Sequence, residues 1–86
     1  MIVEWSHTAL QRLKELLTKD TEEAWHAYDR IEQRVLQLEQ LPNLKAFPRR
    51  GRRVLVVTGT PYLIIYTVEP EAIRIRAIRD GRERAR

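Results

Sequence analysis

The apolar residues of this 86-residue chain change their spacing at Pro42, and that change limits the fold more than any other feature. Before Pro42 they recur at steps of three and four, the period of an α-helix with one buried face. Beyond it they run in short blocks rich in Val and Ile, separated by Gly and Pro, as strands joined by turns do. Helices followed by strands, at a length that supports one small domain, point to an α+β fold.

Ile2 to Trp5 reads as a short opening strand, and Ser6 as the N-cap of a first helix that begins near His7. Ala9, Leu10, Leu13, Leu16 and Leu17 form its apolar stripe. Thr21 reads as a second N-cap, with Glu22 and Glu23 well placed at the positive end of a helix dipole. The second stripe is Ala24, Tyr28, Ile31, Val35 and Leu38, and this helix ends at Leu41 because Pro42 disfavours helical geometry in the residue before it. So short a link between two helices predicts an antiparallel hairpin.

Pro42 to Arg52 reads as an irregular basic loop. Strands follow over Arg53 to Thr58, Tyr62 to Glu69 and Ala72 to Arg79, with Gly59-Thr60-Pro61 and Pro70 as turns. The middle strand is apolar on both faces and should be central. The last alternates Ile73, Ile75 and Ala77 with Arg74 and Arg76, so one face should pack on helices and the other carry arginines outward. The expected order is β-α-α-β-β-β, a helical hairpin laid on a small antiparallel sheet, as one domain over 1–86 with a basic tail over 80–86 that moves until it meets a partner.

The formal charge of +4 conceals an uneven distribution. Residues 1–42 carry five Lys/Arg against eight Asp/Glu, a net −3, and residues 43–86 carry eleven against four, a net +7. Ten of those eleven cations are arginine, whose guanidinium suits bidentate recognition of phosphate and carboxylate. Arg74, Arg76, Arg79, Arg82, Arg84 and Arg86 fall within 13 residues and read as a phosphate-contacting or target-binding surface; the plainer reading is the solvated face of an edge strand. Arg49, Arg50, Arg52 and Arg53 either extend that surface or keep a loop solvated.

Other features narrow the classes of function. The longest apolar run, Tyr62 to Tyr66, is far short of the roughly 20 residues of a membrane span. The absence of cysteine excludes disulfides, Cys-ligated zinc and thiol nucleophiles, and agrees with a reducing cytoplasm. Met1 to Trp5 lacks the basic region and apolar stretch of a secretory signal, so the chain is expected to stay where it is made. His7 and His26 have no metal-ligand spacing and read as surface residues. Trp5, Tyr62 and Tyr66 read as packing residues, and nothing calls for a cofactor or metal.

Val3-Glu4-Trp5-Ser6 with Ala9 and Leu13, the loop Phe47-Pro48-Arg49-Arg50-Gly51-Arg52, and above all Gly59-Thr60-Pro61-Tyr62-Leu63-Ile64-Ile65-Tyr66 together resemble the RelE/ParE superfamily of bacterial toxins, the last segment being common in ParE-like and plasmid-stabilisation members. The resemblance covers nearly the whole chain. It implies a growth-inhibiting toxin neutralised by a cognate antitoxin, acting either on DNA gyrase, as ParE-like members do, or on messenger RNA at the ribosome, as RelE-like nucleases do. The positions that are basic in RelE-like second strands fall here on Val54, Leu55, Val56 and Val57, and the arginine of the third strand is replaced by Leu63. Gly81-Arg82-Glu83-Arg84 approximates the C-terminal basic element, but no tyrosine or histidine follows Tyr66 to donate a proton. The resemblance therefore favours a ParE-like, non-enzymatic toxin over an mRNA endonuclease that relies on Arg82, Arg84 and Arg53.

Overall fold

The computed structural model describes residues 2–41, 47–49 and 51–83. Its elements are β1 (Ile2–Trp5), α1 (His7–Lys19), α2 (Glu22–Gln40), β2 (Phe47–Arg49), β3 (Arg52–Val56), β4 (Tyr62–Val68) and β5 (Ala72–Asp80). Both helix starts are capped as expected: the Ser6 hydroxyl accepts from the Ala9 N–H and the Thr21 hydroxyl from the Ala24 N–H, each at 3.1 Å. Between the helices Asp20 takes the left-handed conformation (φ 49°), and its carboxylate accepts from the Trp25 indole N–H at 3.0 Å. Asp is among the few residues that tolerate this geometry. No described helix is long and apolar enough to cross a membrane.

The helical hairpin packs on one face of a five-stranded sheet ordered β1-β5-β4-β3-β2. Ile31, Leu38, Leu55, Val57, Ile64, Tyr66, Ile73 and Ile75 are fully buried between the layers, with Trp5, Leu13 and Val68 packed against them. The tyrosines of β4 belong to this core. In α2 the inward position expected for Tyr28 is taken by Ala27; Tyr28 is half-buried, set edge-on to Trp25 at 6.2 Å, and a hydrogen bond to Glu32 raises its phenol pKa. A small side chain fits where the helix approaches its neighbours, and the larger ring stays at the margin.

Four expectations are corrected. The sheet is mixed, because β1 pairs in parallel with β5, Ile2 against Ala72 through Trp5 against Ile75. This places β5 inside the sheet, so its arginines do not sit on an edge strand. The basic loop over Pro42 to Arg52 contains a strand: β2 pairs antiparallel with β3, Phe47 against Val54 and Arg49 against Arg52, with Gly51 in the turn at φ +77°. Pro48 is compatible with pairing because β2 is an edge strand and needs no second ladder. Finally, β5 does not alternate throughout. Tyr66 pairs with Ile75 but Ile65 with Ala77, so Arg76 is an extra, bulged residue. Beyond it the phase reverses, with Ile78 facing the helices and Ala77 the other side.

Candidate target-binding face

The sheet has one face under the helices and an outer face that no described element covers. Alternation puts Arg52, Val54 and Val56 of β3, Leu63, Ile65 and Thr67 of β4, and Arg74, Ala77 and Arg79 of β5 on the outer side. The arginines expected to form one surface are sorted by the fold into three kinds.

Arg74 is held. Its guanidinium lies between Glu4 of β1 at 3.0 Å and Glu69 of the β4–β5 turn at 3.1 Å, tying three segments together. Arg82 is also held: its Nε and terminal nitrogen grip both carboxylate oxygens of Asp80 at 3.1 and 2.8 Å, and its N–H donates to the same group at 2.8 Å. These bonds bring the Asp80 pKa down to about 2. Arg52, Arg76 and Arg79 are exposed and have no ion-pair partner among the described residues. Arg76 is presented by the bulge, whose carbonyl accepts from the Ser6 hydroxyl at 2.8 Å, so the first helix cap also anchors this turn of β5.

Arg53 points the other way. It pairs with Tyr66 in the ladder and therefore shares the helix-packed side with Leu55 and Val57. There it interacts with its surroundings and opposes the upward shift that burial imposes on the Tyr66 phenol. Arg82 lies two residues past Asp80, which pairs with Tyr62. Tyr62 and Tyr66 are four residue steps apart, about 13 Å at the rise of a β-strand. Arg53 and Arg82 thus stand in different environments, the first on the helix-packed side opposite Tyr66 and the second in the turn beyond Asp80. Tyr66 itself is fully buried and cannot reach a substrate.

The expected moving tail is partly fastened. Gly81 N–H donates to Pro61 O at 2.6 Å, Glu83 N–H to Asp80 O at 3.0 Å, and the Glu83 carboxylate accepts from Arg12 of α1, whose Nε also donates to Ile78 O at 3.3 Å. Residues 80–83 therefore close as a turn against α1 and the β3–β4 connection. Arg50, Arg84 and Arg86 lie outside the described residues, and of Arg49 only the backbone register opposite Arg52 is described. His7 and His26 are exposed, and among the described residues no group of three or more His, Asp or Glu is arranged to hold a metal ion. A cleft of about 360 Å³ between the start of α2, the β3–β4 turn and Arg82 contains Lys19, Glu23 and His26, but Asp80 already neutralises Arg82 and Glu23 offsets Lys19.

Sequence reasoning missed two features of this face. One is the pair Glu4 and Glu69, which withdraw Arg74 from it. The other is an aliphatic strip of Val54, Val56, Leu63, Ile65 and Ala77 among the arginines. Its signal was present, since a strand apolar on both sides leaves apolar groups on whichever face the helices do not cover.

A family model for the ParE toxin of the type II toxin-antitoxin system parDE matches residues 3–85. Among solved structures, the fold is similar to the chromosomal ParDE toxin-antitoxin system from P. aeruginosa, at 24% identity and TM-score 0.77, over 93% of this chain and 95% of that one. It is also similar to a YoeB/ParE toxin from Agrobacterium tumefaciens, at 13% identity and TM-score 0.76, over 93% and 98% of the two chains. A YoeB dimer from Staphylococcus aureus gives 13% identity and TM-score 0.67, over 90% and 92%. A sequence search of curated proteins finds no match.

Proposed function

Because the chain belongs to the ParE toxin family of type II toxin-antitoxin systems, we propose that it is the growth-inhibiting toxin of such a module, a single domain acting in the cytoplasm. It binds DNA gyrase through the arginines of its outer sheet face, and a cognate antitoxin neutralises it. The observation that carries this reading is the exposure of Arg52 and Arg79 on the face away from the helices and of Arg76 at the β5 bulge, all without ion-pair partners among the described residues. Guanidinium groups left without carboxylates inside their own domain are available to an acidic partner.

A binding mechanism suits these residues better than phosphodiester cleavage. Cleavage needs a group to take the 2′-hydroxyl proton and another to protonate the leaving oxygen. The outer face offers guanidinium groups, which stay protonated and do neither. Arg53 is turned toward the core and Arg82 is clamped by Asp80.

Two assays on the purified protein test the reading: DNA supercoiling by gyrase, and reconstituted translation with primer extension on the message. Inhibited supercoiling with intact message is expected. Cleaved message with unaffected supercoiling would replace the gyrase reading with an mRNA endonuclease.

A further inference from the structure

We propose that the outer sheet face docks a protein segment that presents apolar side chains flanked by carboxylates, rather than a strand of nucleic acid. The inference rests on the reading that this face meets the toxin's target, and it specifies the chemistry of the contact.

The strip forms two rows across the sheet. Val54, Ile65 and Ala77 are paired in register in one row, and Val56, Leu63 and Arg79 in the other. Neighbours within a row are about 5 Å apart and the rows about 7 Å apart, so the side chains form one continuous surface. Val56 is 43% exposed, although isolated helix-side neighbours such as Leu55 and Val57 are completely buried. The cations surround this surface: Arg52 precedes Val54 by two residues on the same side, Arg79 closes the second row, and Arg76 rises from the bulge beside Ala77.

An apolar centre with arginine at its margin is the composition of a protein-protein contact, where the centre is desolvated and the rim makes charged hydrogen bonds. Covering the strip would lower the effective dielectric around Arg76 and Arg79 and strengthen their pairing with carboxylates. A phosphodiester backbone gains from the arginines alone. Laid across Val54, Val56, Leu63 and Ile65, its phosphates would lose water and find no donor, and aliphatic side chains give bases no stacking platform of the kind single-strand binders use. Charge complementarity thus selects an acidic partner, and the strip selects one that also has apolar groups to bury.

Three probes of similar length separate the possibilities, each titrated into the full-length protein while backbone amide shifts are recorded: a synthetic peptide alternating Leu with Glu, a poly-Glu peptide, and a single-stranded RNA. The Leu/Glu peptide is expected to shift amides of β3, β4 and β5 along the strip and to bind at least about tenfold more tightly than poly-Glu. Val56→Asp and Arg79→Glu should each weaken it by about tenfold with the melting temperature retained. The proposal is overturned if RNA binds the strip as tightly as the peptide with a steep salt dependence, if the peptide shifts fall on the helices, or if the strip resonances move with protein concentration alone, which would make a second copy the occupant. Failure of gyrase inhibition by the unaltered protein would remove the gyrase reading and leave the peptide map standing. Undiminished inhibition by the Val56→Asp, Arg79→Glu double variant would remove this docking surface and leave gyrase as the target.

Discussion

Arg74 and Arg79 lie five residues apart on one strand and have different fates, decided by what stands beside each. Glu4 and Glu69 take up Arg74, whereas Arg79 faces Leu63 and has no carboxylate partner among the described residues. Asp80 shows the same dependence on neighbours in its titration. Its carboxyl, at about 2 in the folded chain against 3.8 ordinarily, adds stability that is complete above about pH 4 and is lost as pH falls toward 2. Thermal unfolding followed between pH 5 and 2 should therefore show an acid-side loss that Asp80→Asn reduces, on the order of a unit of pH range on either side of 3. Gly81 is constrained by space: a Cβ there would stand 3.0 Å from Pro61 O, a backbone atom that cannot swing aside. Gly81→Ala should lower stability by about 1 kcal/mol in denaturant unfolding and loosen the turn that carries Arg82.

At the scale of elements, the helix starts and strand interiors follow local rules, and the departures occur where one element meets another. Ser6 caps α1 and also holds the carbonyl of Arg76, 70 residues away. Ser6→Ala should cost about 1–2 kcal/mol, more than loss of an isolated cap, and should broaden the amide signals around the β5 bulge. The two helical stripes were legible from their spacing, except that Leu10 is exposed and Ala27 takes the buried place expected for Tyr28, and the Ser6 and Thr21 caps were legible from residue type. The bulge was not, since nothing in Ile73 to Arg79 marks Arg76 as the extra residue; it arises from the pairing with β4. Nor was β2, because Pro48 and the cations around it read as a loop until β3 is available as a partner.

Across the whole molecule, the division between an acidic helical half and a basic sheet half becomes a difference between two layers, and the sheet layer then divides its own arginines. If gyrase is the target as proposed, replacing Arg52, Arg76 and Arg79 together by Ala should abolish its inhibition while changing unfolding free energy by no more than about 0.5 kcal/mol per site. Arg74→Ala should do the reverse, lowering stability by up to about 1 kcal/mol, as partly exposed ion pairs do, and leaving inhibition largely intact. A circular dichroism melt beside a supercoiling assay separates the two groups.

The sequence alone determined the helices, four of the five strands, the central place of β4, the family resemblance and the concentration of arginine after Pro42. Those are matters of local spacing and composition, which short-range sterics and solvation set. Which strands are neighbours, where β5 changes phase, which arginines find carboxylates and which surround a partly exposed aliphatic strip were decided only by tertiary structure. Glu4 and Arg74, or Val56, Leu63 and Arg79, become neighbours through a ladder that joins distant segments, and no local pattern encodes its register.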